Sequence, residues 1–504
     1  MTYIPPIVKA CTLATLVLSQ VACADKYTDA PESILLNNAD SKYDHWNGVG
    51  KIFHNEEIPF CTATLLDTRD TENGATGPAY VLTAGHCVLK MHGAKSDVPF
   101  EQSIKFNYFT DTSDSSKFYS IHKANWTSMA STDVAILELT DSLETLINDG
   151  INPLRIASEA PSTPGKVNIV HAPQRDKLHL SSCTQEPADV PVIKLSVFMD
   201  YLKQDCKGIG PGSSGAPSLD ATTGEIIGVL SGTTQGFSAD DLCFWFGLCL
   251  DNKTQSFLPD EAVQSPVVNY FSACFSNGYF NTGTSTCTLK PNFDFTSETR
   301  IDMNKSSLKT VLKPGPHETP PAWDIKFSMS TPFYRFKTVR DAKACYLPDH
   351  YSGTLSTKDA VINAPIGNEA GLYFLCLLGV ESAEQRPSVG LIRNTQIIPA
   401  RIAAPNFIKP PDPTPIINLS ENNEKYALIQ WRAKEMLNMW TWAYIGAVGT
   451  TDCDTIPRKD YFRVGDAMYI QKDKLPLMLC SYTEDREFDT SDVHTFVVTL
   501  PAGA

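Results

Sequence analysis

Short apolar runs separated by turn residues fill the first half of the chain, and they restrict it to a β-rich fold. Between Val49 and Leu139 these runs are VGKIF, FCTATLL, AYVLTAGHCVL, IKFNYF, KFYSIHKA and DVAILEL. The pattern continues through VNIVHA, VIKLSVFM and EIIGVLSG. Runs of this length, rich in β-branched and aromatic residues, are typical of strands. The sequence therefore predicts an all-β domain.

One helix signal and two proline-rich stretches divide the rest of the 504 residues, a length that favours several domains. The run SPVVNYFSACF predicts a helix over residues 265–275, with Ser265 as N-cap and Pro266 in the first turn. The stretches LKPGPHETPPAW and IKPPDPTPII are typical of semi-rigid extended segments. We therefore predict linkers over 291–322 and 405–424.

The two segments that these linkers separate, 323–404 and 425–504, resemble one another. AGLYFLC ends at Cys376 in the first segment, and KLPLMLC ends at Cys480 in the second. Each segment has the size of a small domain. We predict two disulfide-pinned, β-sandwich-like modules that attach the protein to a protein, polysaccharide or cell-surface ligand.

The N-terminus has the features of an export signal. Residues 1–24 carry Lys9 before an apolar stretch and end in Ala-Cys-Ala, which fits a secretory signal peptide with a small-x-small cleavage site. Residues 25–43 then form a candidate pro-segment. The sequence predicts a secreted or periplasmic protein, with a lipid anchor at Cys23 as the alternative because VAC is similar to a lipobox.

Composition and charge exclude several classes of protein. An apolar content of 42% with 20% charged residues describes a folded chain rather than a disordered one. A formal charge of −15 without basic clusters argues against nucleic acid as a partner. No run after the signal reaches the roughly 20 apolar residues that a membrane span needs. We expect no membrane span.

Twelve cysteines remain once the signal is removed, and an even number in an exported chain favours disulfides. Zinc is the competing use, but the chain contains no Cys-x-x-Cys pair and no His-Glu-x-x-His, so we predict no metal. Pairing of sequence neighbours joins Cys61 with Cys87, Cys183 with Cys206, Cys243 with Cys249, Cys274 with Cys287, Cys345 with Cys376 and Cys453 with Cys480.

Three short motifs carry the chemistry. GPGSSGAP, residues 210–217, is either a flexible Gly/Ser linker or a rigid turn that exposes Ser214. LTAGHC places His86 after a strand-like run, and STDVAILEL places Asp133 at the head of another. In this order and with these local sequences, the motifs resemble the chymotrypsin-like (trypsin-fold) serine endopeptidases over about residues 44–290.

The resemblance implies a double β-barrel and hydrolysis through an acyl-enzyme, without a cofactor. Ser214 would be the nucleophile and His86 the base and then the acid, while Asp133 would fix the histidine tautomer. The backbone N–H groups of Gly212 and Ser214 would form the oxyanion hole. A protein or peptide is the expected substrate.

The family also implies supporting roles, and the chain departs from its pattern at one of them. Ser231 would support the carboxylate and lie along the substrate backbone, and a Cys61–Cys87 bridge would tie a strand to the turn that carries the imidazole. Ser213 stands where pancreatic-type enzymes have an Asp that pairs with a newly freed N-terminus. The oxyanion hole must instead be preorganised by hydrogen bonds.

The substrate pocket is predicted at Gly208, Ile209 and Thr233. Gly208 occupies the place where trypsin-like enzymes hold an Asp that binds basic side chains. The resemblance therefore does not support a preference for Arg or Lys, and it favours a pocket for apolar or small side chains. The insert CFWFGLC, residues 243–249, is either an aromatic lip that grips substrate or an apolar plug, and the plug is slightly favoured.

These features favour a secreted serine endopeptidase with C-terminal modules for targeting or substrate binding. Two other interpretations stay open. One is a non-catalytic binding or adhesion protein that retains a protease fold, and the other is an esterase that uses the same three residues. A reactive Ser214 would distinguish an enzyme from the non-catalytic binding protein. Cleavage of peptide substrates would distinguish an endopeptidase from the esterase.

Overall fold

The computed structural model describes most of the chain after the predicted signal. It covers residues 30–499 except 71, 73, 90–92, 162, 189–191, 194–196, 234–262, 299–307, 312–320, 370, 404–413, 419–424, 433–439, 465–466 and 485–489. Three predictions lie outside the described residues: the signal peptide, the lipid anchor at Cys23, and the ring closed by a disulfide between Cys243 and Cys249.

Six antiparallel strands that follow the short strand β1 (Ile34–Leu35) close into a barrel. They are β2 (Val49–His54), β3 (Ile58–Leu65), β4 (Pro78–Thr83), β5 (Ala94–Lys105), β6 (Phe118–Ser128) and β7 (Val134–Ser142). The order is β2-β3-β4-β7-β6-β5, closed by pairing of β2 with β5. Fully buried Ile52, Ala63, Val81, Ile104 and Leu137 fill its interior. Helix α1 (Leu143–Asn148), N-capped by the Ser142 hydroxyl, adds Leu143 and Leu146 to the same core.

A second barrel follows. Its strands are β8 (Gly165–His171), β9 (His179–Pro187), β12 (Tyr201–Gln204), β13 (Pro217–Asp220), β14 (Ile226–Val229), β15 (Gly232–Thr233) and β16 (Val263–Pro266), with a separate hairpin of β10 (Val192–Ile193) and β11 (Val197–Phe198). The order is β14-β13-β8-β9-β12-β16-β15. An antiparallel bridge joins Gly228 in β14 to Val267, the residue after β16, so the two ends of this strand order approach each other. Residues from both barrels share one core, in which Leu82 and Val134 meet Val170 and Val229.

The candidate pro-segment contributes to the second barrel. β1 pairs with β9 through Ile34 and Leu180, and Leu36 is fully buried in the core that both barrels share. Lys207 also forms an ion pair with Glu32 at 3.2 Å. Removing this stretch would expose a core residue and an edge of β9, so its described part behaves as a structural element of the barrel.

The helix predicted over residues 265–275 is wrong. Ser265 and Pro266 end β16, and a 3-10 helix covers only Asn269–Cys274. Sheet pairing outweighs the capping signal, because Ser265 pairs with Leu202 and its hydroxyl lies 2.9 Å from that of Ser218. The other 3-10 helices in the described part of the chain are Asp44–Trp46, Gly85–Cys87, Ser113–Ser115, Ala342–Tyr346, Arg458–Asp460 and Lys472–Lys474.

The next module is a two-sheet sandwich, preceded by the small hairpin of β17 (Phe275–Ser276) and β18 (Tyr279–Phe280). Its strands are β19 (Phe295–Ser297), β20 (Leu308–Val311), β21 (Ile325–Met329), β22 (Phe333–Val339), β23 (Leu355–Ser356), β24 (Val361–Ile362), β25 (Gly371–Val380) and β26 (Gln396–Ala403), with helix α2 (Val389–Arg393). Sheets ordered β19-β21-β24 and β20-β26-β25-β22-β23 enclose Trp323, Phe327, Leu375 and Ile398.

The last module repeats this architecture. Its strands are β27 (Thr414–Asn418), β28 (Tyr426–Arg432), β29 (Trp440–Ala447), β30 (Phe462–Val464), β31 (Ala467–Gln471), β32 (Leu477–Glu484) and β33 (His494–Val498). Sheets ordered β27-β28-β31 and β30-β29-β32-β33 bury Ile429, Trp431, Leu479 and Val498 between them. The predicted all-β fold class is confirmed. Among the described residues, no helix has the length and apolar character needed to cross a membrane.

Both predicted linkers contain paired strands. In 291–322, β19 pairs with β21 and β20 runs parallel to β26. In 405–424, β27 pairs with β28 and forms an edge of its sheet. An edge strand tolerates Pro415, because one side of it needs no ladder hydrogen bonds. The described parts of both segments therefore belong to the sheets of the modules, whereas residues 312–320 and 404–413, which hold most of the prolines, lie outside the described residues.

Candidate active site

His86 lies in the short 3-10 turn that follows β4, Gly85–Cys87. One covalent and one steric constraint hold that turn in place. The Cys61–Cys87 disulfide ties it to β3, with the two Cα atoms 6.3 Å apart. Gly85 packs so closely on the end of β6 that an added Cβ would lie 2.0 Å from the Ser128 carbonyl oxygen. The backbone that carries the imidazole is therefore fixed on both sides.

Asp133 is fully buried at the start of β7 and bonds to this turn. Its Oδ1 accepts from the His86 backbone N–H at 2.8 Å, and its Oδ2 lies 2.7 Å from His86 Nδ1. An ionised carboxylate only accepts, so Nδ1 carries the hydrogen and, in the neutral ring, Nε2 is the basic nitrogen.

Two hydroxyl groups from the second barrel continue this chain of hydrogen bonds. Ser231 donates to Asp133 Oδ2 at 2.5 Å, and the Tyr201 hydroxyl donates to Ser231 at 3.3 Å. Burial raises the pKa of Tyr201 well above its usual range, and the nearby Asp133 charge adds to the effect. Tyr201 therefore stays a neutral donor. Sequence reasoning identified Ser231 but missed Tyr201.

Ser214 lies half-buried in a glycine turn that packs against the same region. Thr62, next to Cys61, donates its backbone N–H to the Ser214 carbonyl oxygen at 2.8 Å. Gly215 has φ +87°, and an added Cβ there would lie 2.1 Å from Thr83 Oγ1 and 3.1 Å from the Ala84 nitrogen. The residue after Ser214 thus contacts the segment that leads directly into His86.

Most backbone polar groups of the turn have partners. The Pro211 carbonyl accepts from the Gln174 N–H, and the Ser213 N–H donates to the Gly210 carbonyl at 3.0 Å. The Ser213 carbonyl accepts from Ala216 at 3.0 Å. These bonds make the segment a rigid turn rather than a flexible linker.

Two N–H groups of the turn are left over. Within the described part of the chain, the backbone N–H groups of Gly212 and Ser214 donate to no protein acceptor. They are the two groups that the family resemblance assigns to an oxyanion hole. Donors that are unused in the folded chain but rigidly held can stabilise charge that develops on a substrate oxygen.

Buried hydrogen bonds replace the acidic residue of pancreatic-type enzymes at position 213. The Ser181 hydroxyl donates to the Lys207 carbonyl at 2.7 Å, so it accepts from His171 Nε2 at 3.0 Å. His171 Nδ1 then accepts from the Ser213 hydroxyl at 2.8 Å. Burial lowers the pKa of His171 to about 3, with smaller contributions from His179 and Lys51, so the ring stays neutral.

Sequence reasoning missed His171 and also Lys51, which lies beneath the turn. The Lys51 Nζ is fully buried and donates to the carbonyl oxygens of Ala172 at 2.6 Å and Gly212 at 2.8 Å. The Thr62 hydroxyl donates to the same Gly212 oxygen at 2.9 Å. The sequence signal that could have identified them is a polar residue inside an apolar run, Lys51 in VGKIF and His171 in VNIVHA.

The three predicted pocket residues lie in different surroundings. Gly208 is exposed with φ +77°, and an added Cβ would lie 2.4 Å from the Cβ of Ser33. Ile209 is 6% exposed and belongs to a core cluster that includes Ala216, so its side chain packs behind the turn. Thr233 is buried in β15. The specificity assignment stays a prediction.

Five of the six predicted disulfides are present in the structure. The bridges are Cys61–Cys87, Cys183–Cys206, Cys274–Cys287, Cys345–Cys376 and Cys453–Cys480. The sixth, between Cys243 and Cys249, stays a prediction, because Cys243 and Cys249 both lie outside the described residues.

One cluster in the structure has the residue types of a metal site. Among the described residues, Cys61, Cys87 and His86 form the one group whose ligand atoms converge. Its two sulfur atoms are bonded to each other, so they offer no thiolates to a metal.

Comparison with solved structures finds many distant matches. Human heparin binding protein is 13% identical, with 45% of this chain and 89% of that chain covered at a TM-score of 0.30. The active form of the Rv3671c protease from M. tuberculosis is 14% identical, with 52% and 89% covered at 0.28. Protease Anisep from Arthrobacter nicotinovorans is 15% identical, with 44% and 90% covered at 0.29.

Comparison of sequences is more informative than these structural matches. No curated protein matches the chain. The family model for a trypsin-like peptidase domain does match, over residues 61–229, a stretch that contains His86, Asp133 and Ser214. The chain is therefore similar to the trypsin-like peptidase family over residues 61–229, and the resemblance predicted from the motifs is confirmed for this part of the chain.

Proposed function

We propose that the protein is an exported serine endopeptidase in which Ser214 attacks the peptide carbonyl, His86 acts as base and then acid, and Asp133 holds the imidazole. The observation that carries the proposal is the buried carboxylate bonded to His86 Nδ1 at 2.7 Å, beside the turn of Ser214. This arrangement leaves Nε2 to accept the serine proton, and it stabilises the imidazolium that forms.

The oxyanion of the tetrahedral intermediate would be bound by the N–H groups of Gly212 and Ser214. Their lack of partners among the described residues supports this role, because a donor already used inside the turn would have to break a bond first. Ser231 would keep Asp133 ionised and oriented through its 2.5 Å hydrogen bond. Collapse of the intermediate gives an acyl-enzyme, which water then hydrolyses.

Export is part of the proposal. Five disulfides among the described residues favour an oxidising compartment, in agreement with the signal-like N-terminus. We propose a secreted or periplasmic protein. N-terminal sequencing of the exported protein would test it, with a start near Asp25 expected and a lipidated Cys23 as the contrary result.

A fluorophosphonate probe tests the proposed nucleophile. Wild-type protein should be labelled, and peptide mapping should locate the label on Ser214. Ser214→Ala should abolish labelling, whereas Ser158→Ala, which removes an exposed serine of the same domain, should not. Absence of labelling on folded, exported protein would favour a binding protein with a protease fold.

Substrate class is tested once labelling is established. Casein and a peptide library should be cleaved internally by the wild type and not by Ser214→Ala. Turnover of simple esters without cleavage of any peptide would replace the endopeptidase with an esterase. The cleavage sites would also report which side chain the predicted pocket at Gly208 and Thr233 accepts.

A further inference from the structure

Lys51 is a fully buried lysine that forms no ion pair with a described carboxylate. It lies in the middle of β2, pairs with Thr62 across the ladder, and has no exposed surface. No carboxylate in the described ranges forms an ion pair with it, and its ammonium group bonds instead to two backbone carbonyl groups, of Ala172 and Gly212. An unpaired buried charge is costly, so a specific role is expected of it.

We propose that Lys51 is a positioning residue for the hydrolysis proposed above. It holds the Gly212 carbonyl toward the protein interior, so that the backbone N–H groups of Gly212 and Ser214 face the substrate. The proposal rests on the proposed function. Lys51 touches no reacting atom and acts only through the peptide plane that joins Gly212 to Ser213.

The geometry of this peptide explains why an anchor is needed. Gly212 has φ +88°, in the region that glycine enters freely and can also leave freely. The carbonyl end of the peptide is held by Lys51 Nζ at 2.8 Å and Thr62 Oγ1 at 2.9 Å, and its N–H end by the Gly210 carbonyl at 3.0 Å. Without the Lys51 donor, rotation about Gly212 would turn the adjacent oxyanion donors away.

Few other groups bear on the charge of Lys51. Burial lowers its pKa to about 7, and the nearby Asp176 carboxylate opposes this effect. His171 also senses the charge of Lys51, and it is neutral because burial holds its pKa at about 3. Near neutral pH both the ammonium and the neutral amine are therefore present, and either form has enough N–H groups to donate to the two carbonyl groups.

Lys51→Met tests the proposal, because methionine keeps the length of the apolar stem and removes the donors. We expect kcat for a peptide substrate to fall by about 10²–10³-fold with KM changed less than about threefold, the loss seen when one oxyanion donor is removed. Affinity for a peptide aldehyde, which forms an oxyanion when Ser214 adds to it, should fall by a similar factor, while affinity for the cleaved product should not change.

Lys337→Met is the matched control. Lys337 is a second buried lysine that donates to two backbone carbonyl groups, Leu347 at 2.7 Å and Asp349 at 2.9 Å, in the first C-terminal module. It should leave kcat and aldehyde affinity at wild-type levels. An equal loss of activity in both variants would overturn the proposal, because it would show a general effect of removing buried lysines.

Thr62→Val provides an independent test if Lys51→Met does not fold. It removes the second donor to Gly212 and should lower kcat about tenfold without changing KM. If Lys51→Met folds and retains the wild-type kcat, the positioning role of Lys51 is refuted. If Lys51→Met does not fold, a wild-type kcat in Thr62→Val refutes it instead. Failure of the proposed function looks different, since the wild-type protein itself would then not react with the fluorophosphonate.

Discussion

Burial of Lys51 predicts an unusual dependence of stability on alkaline pH. Its pKa is about 7 in the folded chain and 10.5 when the side chain is solvated. Between these values the unfolded chain binds a proton that the folded chain does not, so the free energy of unfolding rises with pH across this window. The cost of burying the charge is complete below pH 7 and disappears as pH approaches 10.5.

The size of the effect follows from the two pKa values. Between pH 7 and pH 10 it amounts to about 3–4 kcal/mol, or a change of a few hundredfold in the unfolding equilibrium. Lys51→Met has no such proton to lose. The difference in unfolding free energy between wild type and variant should therefore shift by this amount in favour of the wild type as pH rises.

Urea unfolding at pH 7, 8, 9 and 10 with the disulfides intact measures this difference. Titrations of tyrosines and other lysines are common to both proteins and cancel in the comparison. Lys474→Met, at an exposed lysine, serves as control and should track the wild type. A gap between wild type and Lys51→Met that stays constant from pH 7 to pH 10 would refute the burial argument.

Three further predictions test the candidate site. Asp133→Asn should lower kcat by about 10⁴-fold in peptide hydrolysis, because an amide can stabilise the wrong imidazole tautomer; a loss below tenfold would contradict this. Ser231→Ala removes a 2.5 Å bond to the carboxylate and should cost about 10–100-fold in kcat/KM, whereas unchanged kinetics would exclude a supporting role. Cys61→Ser should reduce the specific activity of folded protein more than Cys453→Ser, and equal losses would contradict the separation of the second C-terminal module from the site.

The local parts of the fold and site could be predicted from the sequence. Short apolar runs between turn residues indicated strands, because the length of a run and its content of β-branched and aromatic residues are properties of one segment. The motifs around His86, Asp133 and Ser214 were also readable, since each depends on its immediate neighbours. Residues 265–275 show the limit, because a Ser-Pro pair before apolar residues fits both a helix start and a strand end. Pairing with β12, some sixty residues away, decided between them.

The support beneath the turn could not be predicted, because it joins distant segments. Lys51 meets Gly212 across 161 residues and Ala172 across 121. A lysine within a strand pattern ordinarily reaches solvent, and β2 departs from that pattern by burying consecutive residues, Lys51 among them. The same holds for His171, whose partner Ser213 lies 42 residues away. Only the closed barrels bring these groups together.

Contacts of the first C-terminal module change how its role is understood. Ser131, two residues before Asp133, has φ +57° and donates its hydroxyl to the Thr395 carbonyl of the module at 2.8 Å. Its own carbonyl accepts from Met199 at 2.9 Å. A non-glycine residue in this conformation must be held by its surroundings. The module therefore braces the loop that presents the carboxylate, which a domain on a free tether could not do, and any targeting role would be additional to this one.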